Sequence, residues 1–297
     1  MKGNIKNMKN HYIDKRYEYI KKQKFEGERP LFKSSFLHLD DCEFISGESA
    51  VKIGNNINAK NCKFSSKYLF WHNKNLNIKD SFFYDGARAS IWYTNKVVLE
   101  NCKVDSPKIF RDAKNITIQN TAFNTNETLW DCEDIKIKDV QFKGDYLLFH
   151  SSNIDIENFT LDGNYSFQHT KNMKLKNIEI KSKDAFWNSE NVTVYDSVIN
   201  GEYLGWYSKN LKFVNCKIAG TQPLCYAKNL ILENCEMLNT DLAFEYSTLN
   251  AQVTTSIHSV KNPISGTIEA KEIKNLILDD EKVDLKNLKI VTQISKK

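Results

Sequence analysis

A repeat of about 19 residues constrains this chain more than any other feature. "KNLKFVNCKI" (209–218) and "KNLILENCEM" (228–237) are its plainest pair. The first apolar residue of each unit is Leu37, Ile57, Leu76, Val97, Ile116, Ile135, Ile154, Met173, Val192, Leu211 and Leu230. From Ile116 to Leu230 every step has the same length, and the earlier steps exceed it by two residues at most. Within a unit, apolar and polar residues alternate, as in Ile135/Ile137, Ile154/Ile156 and Val192/Val194. That period of two marks a short strand with one buried face.

Such a unit is too short for two packed helices, so each strand must pair with its equivalent one unit on, in parallel register. The expected fold is all-β: a single-stranded, right-handed parallel β-helix of about 11 coils, right-handed because parallel crossovers nearly always are. Leucine-rich repeats have a similar length, but these strands favour Ile and Val and no unit holds a helical-period segment. Asn115, Asn153, Asn172, Asn191, Asn210 and Asn229 precede the strand. Asn or Asp follows it, at Asn101, Asn120, Asp139, Asn158, Asn177, Asp196, Asn215 and Asn234. Asn tolerates the left-handed backbone of sharp corners, and stacked amides bond between coils, so both columns read as architecture.

The repeat sets the expected boundaries. Residues 1–30 form a basic N-terminal arm or cap, with Met8, Tyr12, Ile13, Tyr17 and Ile20 at roughly helical intervals. Residues 31–250 form the β-helix, and 251–297 a C-terminal cap of the same elongated domain, with "HSVKNPISG" as a turn and "NLILDD" (275–280) as a closing strand. Caps suit a solenoid, whose ends otherwise expose strand edges.

Charge and cysteine content narrow the function. Residues 1–30 hold 9 Lys/Arg against 4 Asp/Glu, the whole of the net +5, and the remaining 33 basic and 33 acidic residues cancel. A neutral body offers phosphate backbones no broad footprint, so nucleic acid is an unexpected partner. The chain opens without the apolar core of a secretory leader, and no later stretch approaches the run of about 18 apolar residues that a membrane span needs. The reading is a cytoplasmic protein with no membrane span. Its 7 cysteines, with no Cys-x-x-Cys, fit reduced thiols rather than a disulfide framework or a structural zinc site. Cys42, Cys62, Cys102, Cys216 and Cys235 share one coil position, as core-facing thiols would.

Two further columns run through the second half of the units. One contains Trp71, Trp92, Arg111, Trp130, Phe149, Gln168, Trp187 and Trp206. The next residue of each coil gives His72, Tyr93, Asp112, Asp131, His150, His169, Asn188 and Tyr207. Periodicity leaves their direction open. Counting back from Ala113, Cys132 and Ser151 puts the Trp column inside, and counting forward from Phe110, Leu129 and Leu148 puts it outside, so a corner or bulge must lie between. Large aromatics pack inside more often than not, which would leave the polar column as the exposed one.

Asp112, Asp131, His150 and His169 fall on four consecutive coils, spaced by about 5 Å if the strands stack. Two carboxylates so close invite a divalent metal, a shared proton or a substrate. Asp112 and Asp131, with His150, are therefore the candidate catalytic residues, since glycosidic chemistry needs two carboxylates around one bond. Arg111 adjoins Asp112, though strand neighbours point to opposite faces. The candidate ligand-binding residues are Trp71, Trp92, Arg111, Trp130, Trp187, Trp206, His72 and His169, because aromatic faces stack on sugar rings and polar neighbours fix orientation. No cofactor is otherwise evident. The coil after Leu76 has two extra residues, and "FYDGARASIWYT" places Asp85, Gly86 and Arg88 in an expected protrusion.

The segments "FEGERPLF" (25–32), "ARASIWYT" (87–94), "WYSKNL" (206–211), "LAFEYST" (242–248) and "VKNPISGTIEA" (260–270) resemble an uncharacterised bacterial family, a domain of unknown function. The resemblance implies a pectin-lyase-like right-handed parallel β-helix over roughly residues 25–285 and no agreed activity. The chain shows neither a lyase calcium cluster nor a leader for reaching an external polymer. Three readings follow: a module recognising an oligosaccharide or other extended ligand, an intracellular lyase or hydrolase using the stacked Asp residues, and a protein-binding scaffold. The first is preferred.

Overall fold

The computed structural model describes residues 16–281, 283 and 285–293. They form a parallel β-solenoid of about 14 turns, with two 3-10 turns and no α-helix among the described residues. Every coil pairs in parallel with the next, and the apolar alternation sets the register: Ile135 faces Ile154, Ile137 faces Ile156, and Ile154 then faces Met173. Glu133–Lys143, Ser152–Asp162 and Lys171–Lys181 each run through a left-handed residue, Asp139, Asn158 or Asn177, so one strand serves two walls.

The core is one continuous apolar column. Phe44, Phe64 and Phe83 stack through successive coils at 5.5 and 4.6 Å between ring centres. Phe167 and Phe186 do the same at 5.0 Å on another wall. All 7 cysteines are buried and free. Burial pushes the Cys102 thiol up to about 11 and Cys62 to about 12, so these are packing groups rather than nucleophiles at neutral pH.

Both Asn columns stand as hydrogen-bonded ladders on the surface. Asn172 donates to Asn153 at 3.2 Å and accepts from Asn191 at 3.1 Å, and Asn158 donates to Asp139 at 2.7 Å. Asn172 has φ 55°, where a Cβ without a polar side chain costs about 1 kcal/mol. Asn172→Ala should therefore lose about 2 kcal/mol in urea unfolding, once the two ladder bonds are added. Asn172→Gly should recover the backbone part. Equal losses for the two variants would remove the left-handed backbone from the explanation.

The ends differ from expectation. Glu18–Lys21 is a strand, with Glu18 facing Leu37 and Ile20 facing Leu39, so the helical spacing through Tyr17 and Ile20 does not yield a helix. Met8, Tyr12 and Ile13 lie outside the described residues. Beyond Leu249 the coils continue: Leu249 faces Gly266 and Gly266 faces Leu288, the first step shorter than the repeat and the second longer. The irregular lengths hid these turns from a search at a fixed period. "HSVK" belongs to the strand Ser256–Lys261 and the closing "SG" to the strand Ser265–Ala270, so only residues 262–264 lie between strands. The insertion after Leu76 is absorbed by a single 3-10 turn, Asp85–Ala87, which buries Ala87 and leaves Asp85, Gly86 and Arg88 exposed.

Candidate functional site

The two columns left open by periodicity both face outward. From Leu129 to Tyr246 each coil has two left-handed residues two apart, such as Leu148 (φ 60°) and His150 (φ 54°), whereas in the coils of Trp71, Trp92 and Arg111 only His72, Tyr93 and Asp112 of the corner are left-handed. A left-handed residue breaks strand alternation. Leu147 and Leu148 consequently both turn inward, whereas Phe149 is half-buried and His150 exposed. The same corner repeats at Leu129/Asp131, Phe167/His169 and Phe186/Asn188.

The Trp column is thus neither dry core nor free surface. Trp71 and Trp92 stack at 5.3 Å with planes 5° apart. Arg111 lies 5.0 Å from the Trp92 ring and 4.8 Å from the Trp130 ring, and Trp130 meets Phe149 at 5.3 Å. Four of the five indole N–H groups cap a carbonyl at a left-handed corner of the next coil: Trp71 to Ala89 at 2.6 Å, Trp92 to Lys108 at 2.7 Å, Trp130 to Tyr146 at 2.7 Å and Trp206 to Gln222 at 2.8 Å. Gln168 takes the same role with its amide, donating to Asp184 at 3.1 Å. Trp187 and Trp206 meet at 5.7 Å, tilted by 57°. The ring faces of Trp71, Trp92 and Trp130 are occupied by neighbours, so this column holds the flank together.

The polar column is the solvent-facing ledge beside it. His72 stacks on Tyr93 at 4.9 Å, and Tyr207 on Tyr226 at 4.8 Å. Between these ring pairs lie Asp112, Asp131, His150, His169 and Asn188. His150 Nδ1 is 3.6 Å from Asp131 Oδ1, and the two His rings meet at 4.8 Å. Burial raises the Asp112 carboxyl, the neighbouring Asp131 raises it further, and Arg111 opposes both. Arg111 therefore acts on the same flank as Asp112, contrary to simple strand alternation, because Asp112 is left-handed with φ 48°. Burial and then His150 lower the His169 imidazole, which keeps it neutral at pH 7. No three His, Cys, Asp or Glu side chains converge to hold a metal among the described residues, so the expected divalent metal finds no ligand set on this ledge.

With the geometry in place, comparison with known sequences is informative. Residues 18–291 match the family described as "Protein of unknown function (DUF3737)". The chain belongs to this family. No curated protein matches it. Among solved structures it is similar to PfbA, a surface adhesin of Streptococcus pneumoniae, at 12% identity and TM-score 0.46, over 80% of this chain and 84% of that one. It is also similar to a double mutant of the tailspike protein of E. coli bacteriophage HK620, at 7% identity and TM-score 0.44, over 92% and 72%. A tailspike mutant in complex with pentasaccharide matches at 8% identity and TM-score 0.36, over 93% and 70%. At these scores the likeness says nothing about what this DUF3737 chain binds.

Three features of this family member escaped sequence reasoning. Tyr68, Tyr146, Tyr165 and Tyr203 form a third outward column at the other left-handed corner, with Tyr146 and Tyr165 stacked at 4.9 Å. Its signal was present, three residues before the Trp column. The coil after Tyr226 is one residue longer than the repeat, so Tyr246, 5.7 Å from Tyr226, continues the ledge. Glu245 instead pairs with Lys261 at 2.9 Å. A concavity of about 1090 Å³ lies off the flank, along the Asn ladder of residues 74–191.

The raised Asp112 carboxyl has a measurable consequence. The folded chain holds this proton more tightly than the unfolded one, so the contribution to stability is present at low pH and lost as pH rises through the folded value. Asp112→Asn should accordingly melt at a higher temperature than the parent at pH 7. That difference should shrink towards zero at pH values below the ordinary carboxylate range. A variant less stable than the parent at pH 7 would show that Asp112 is held by a favourable partner instead.

Proposed function

We propose that the flank formed by the Trp column and the polar ledge recognises an extended ligand, a carbohydrate chain laid along the solenoid axis. One observation carries this reading: two ring pairs, each with an exposed tyrosine, bracket five coils of polar side chains. Tyr93 and Tyr207 are 42% and 49% exposed. Six coil steps separate them, roughly 29 Å. The ring partners of Tyr93 among the described residues, His72, Trp71 and Trp92, lie on its own coil or the one before, which leaves the face towards Asp112 for a sugar ring. Asp112, Asp131, His150, His169 and Asn188 then supply donors and acceptors for hydroxyls. The rings of Trp71, Trp92 and Trp130 contribute edges and a rigid backing, since their faces are already occupied.

The test is calorimetric titration of the chain with a panel of neutral and acidic oligosaccharides, repeated with Tyr93→Ala and Asp131→Ala. Loss of one stacking ring should weaken the bound oligosaccharide about tenfold or more. An oligosaccharide bound equally well by both folded variants would place recognition elsewhere, and a panel without any binder would favour a protein partner.

The raised carboxyl of Asp112 beside Asp131 favours a second reading, hydrolysis of a glycosidic bond with Asp112 as acid. That reading requires turnover of a bound oligosaccharide that disappears in Asp112→Asn while binding persists.

A further inference from the structure

The groove along the Asn ladder is separate from the flank and has chemistry of its own. Its rim is a column of exposed, left-handed residues, asparagine on most rungs with Lys96 and Asp134 on two. Asn115, Asn153, Asn172 and Asn191 each donate one amide N–H to the coil before, at 2.8, 3.0, 3.2 and 3.1 Å. An amide has two N–H groups and two carbonyl lone pairs, so each of these rungs keeps a donor for a ligand. The donors recur at the coil spacing, about 4.8 Å.

Several outward lysines of the solenoid pair with acids one coil away: Lys114 with Glu133 at 2.6 Å, Lys138 with Glu157 at 3.1 Å, Lys212 with Glu233 at 2.7 Å. Lys74, Lys96, Lys136 and Lys174 line the groove without an ion pair among the described residues, Lys96 on the rim and Lys136 and Lys174 on the sheet face. Lys174 meets only the Tyr195 ring, at 5.9 Å from its centre. Lys136 and Lys174 share one outward column, two coils apart, on the coils of Ile135 and Met173. Between them stands Asp155, which faces both without pairing with either, and Thr117 precedes Lys136 in the same column. Asp134 occupies one rung of the rim, where its carboxylate accepts the Asn153 amide.

These features select among extended ligands. No aromatic side chain lines the groove, so nucleobases would find no stacking platform. An extended peptide advances about 3.3 Å per residue, out of step with the coils, and the groove offers a sheet face rather than a free strand edge. An extended chain of pyranose rings advances by roughly one coil height per ring, which keeps hydroxyls opposite the amides. We propose that this groove binds a linear glycan with an acidic sugar at every second ring. Carboxylates meet Lys136 and Lys174, two coils apart, and a neutral ring lies over Asp155 between them, where a further acid would be repelled.

The proposal stands apart from the reading of the flank, and one experiment separates them. The full chain is titrated with an end-labelled hexasaccharide of alternating glucuronate and N-acetylglucosamine, with a hexamer of galacturonate, and with a neutral hexasaccharide of the same length, followed by fluorescence anisotropy. The alternating probe should bind tightest and weaken with salt. The exposed lysines, free of ion pairs, allow a folded double variant, Lys136→Gln with Lys174→Gln, checked by its melting temperature. It should lose about tenfold or more in affinity for the alternating probe. Asp155→Asn should narrow the gap between the alternating probe and the galacturonate hexamer, and Tyr93→Ala should leave the alternating probe unaffected. Absence of binding by the alternating probe, equal binding of the neutral one, or indifference to the lysine substitutions would each overturn the proposal. Binding lost in Tyr93→Ala but kept in the lysine variant would overturn it in favour of the flank.

Discussion

Replacing Gly220 by alanine should cost about 4 kcal/mol in urea unfolding, more than any single surface change on this molecule. Its φ of 126° lies where only glycine is at ease. An added Cβ would also stand 2.1 Å from the Gly201 carbonyl oxygen. The corner repeats one coil at a time: at Gly201 the Cβ would meet the Ser182 carbonyl oxygen at 1.8 Å, and at Gly163 that of Gly144 at 1.9 Å. Backbone strain accounts for about 1–3 kcal/mol and overpacking for a similar amount. The clash is with backbone, which cannot swing aside without parting two coils. A loss within about 0.5 kcal/mol, the ordinary range for surface positions, would mean that the coils do not approach each other as described.

Phe186→Ala should cost about 3–5 kcal/mol for the cavity it leaves. Phe186 is fully buried, lies 5.0 Å from Phe167 with near-parallel planes, and meets Phe213 edge-on at 6.4 Å. Its φ of 60° is already left-handed, so alanine adds little backbone strain and the loss measures packing alone. A coil touches only its neighbours, which confines the damage to the middle of the solenoid. Phe186→Leu should keep about half of the lost stability. Chemical denaturation of the two variants checks both figures, and a loss below about 1 kcal/mol for the alanine would contradict a continuous aromatic column.

Much of this architecture is legible in the sequence, because a solenoid writes its cross-section into every unit. The pairs Ile135/Ile137 and Ile154/Ile156 gave strand, face and register together, and the Asn columns marked two corners. The other corners were not legible. Leu148, His150, Phe167 and His169 adopt left-handed backbone without being Asn or Gly, so no turn residue announced them. Alternation counted across such corners fails, which is why the direction of Trp71, Trp92 and Trp130 stayed open. The turns beyond Leu249 were missed because their lengths leave the fixed period. The groove was invisible for another reason: concavity depends on how walls meet, whereas the sequence shows only which residues share a column.

The columns themselves were found from spacing alone, and the structure brings Asp112, Asp131, His150 and His169 onto one ledge with Arg111 beside it. What spacing could not show is that the indole N–H groups of Trp71, Trp92 and Trp130 are already committed to carbonyls of the next coil. In the proposed reading recognition rests on Tyr93, Tyr207 and the polar residues between them, because neighbouring rings and Arg111 also cover the faces of Trp71, Trp92 and Trp130.

The measurement that bears most directly on the flank as a recognition surface is the dependence of affinity on ligand length. Calorimetric titration with a homologous series of the oligosaccharide that binds best should show Kd falling with each added ring. The gain should stop once the ligand spans the stretch from Tyr93 to Tyr207. An affinity already complete with a single sugar unit, or one that does not change with length, would contradict an extended site along the solenoid.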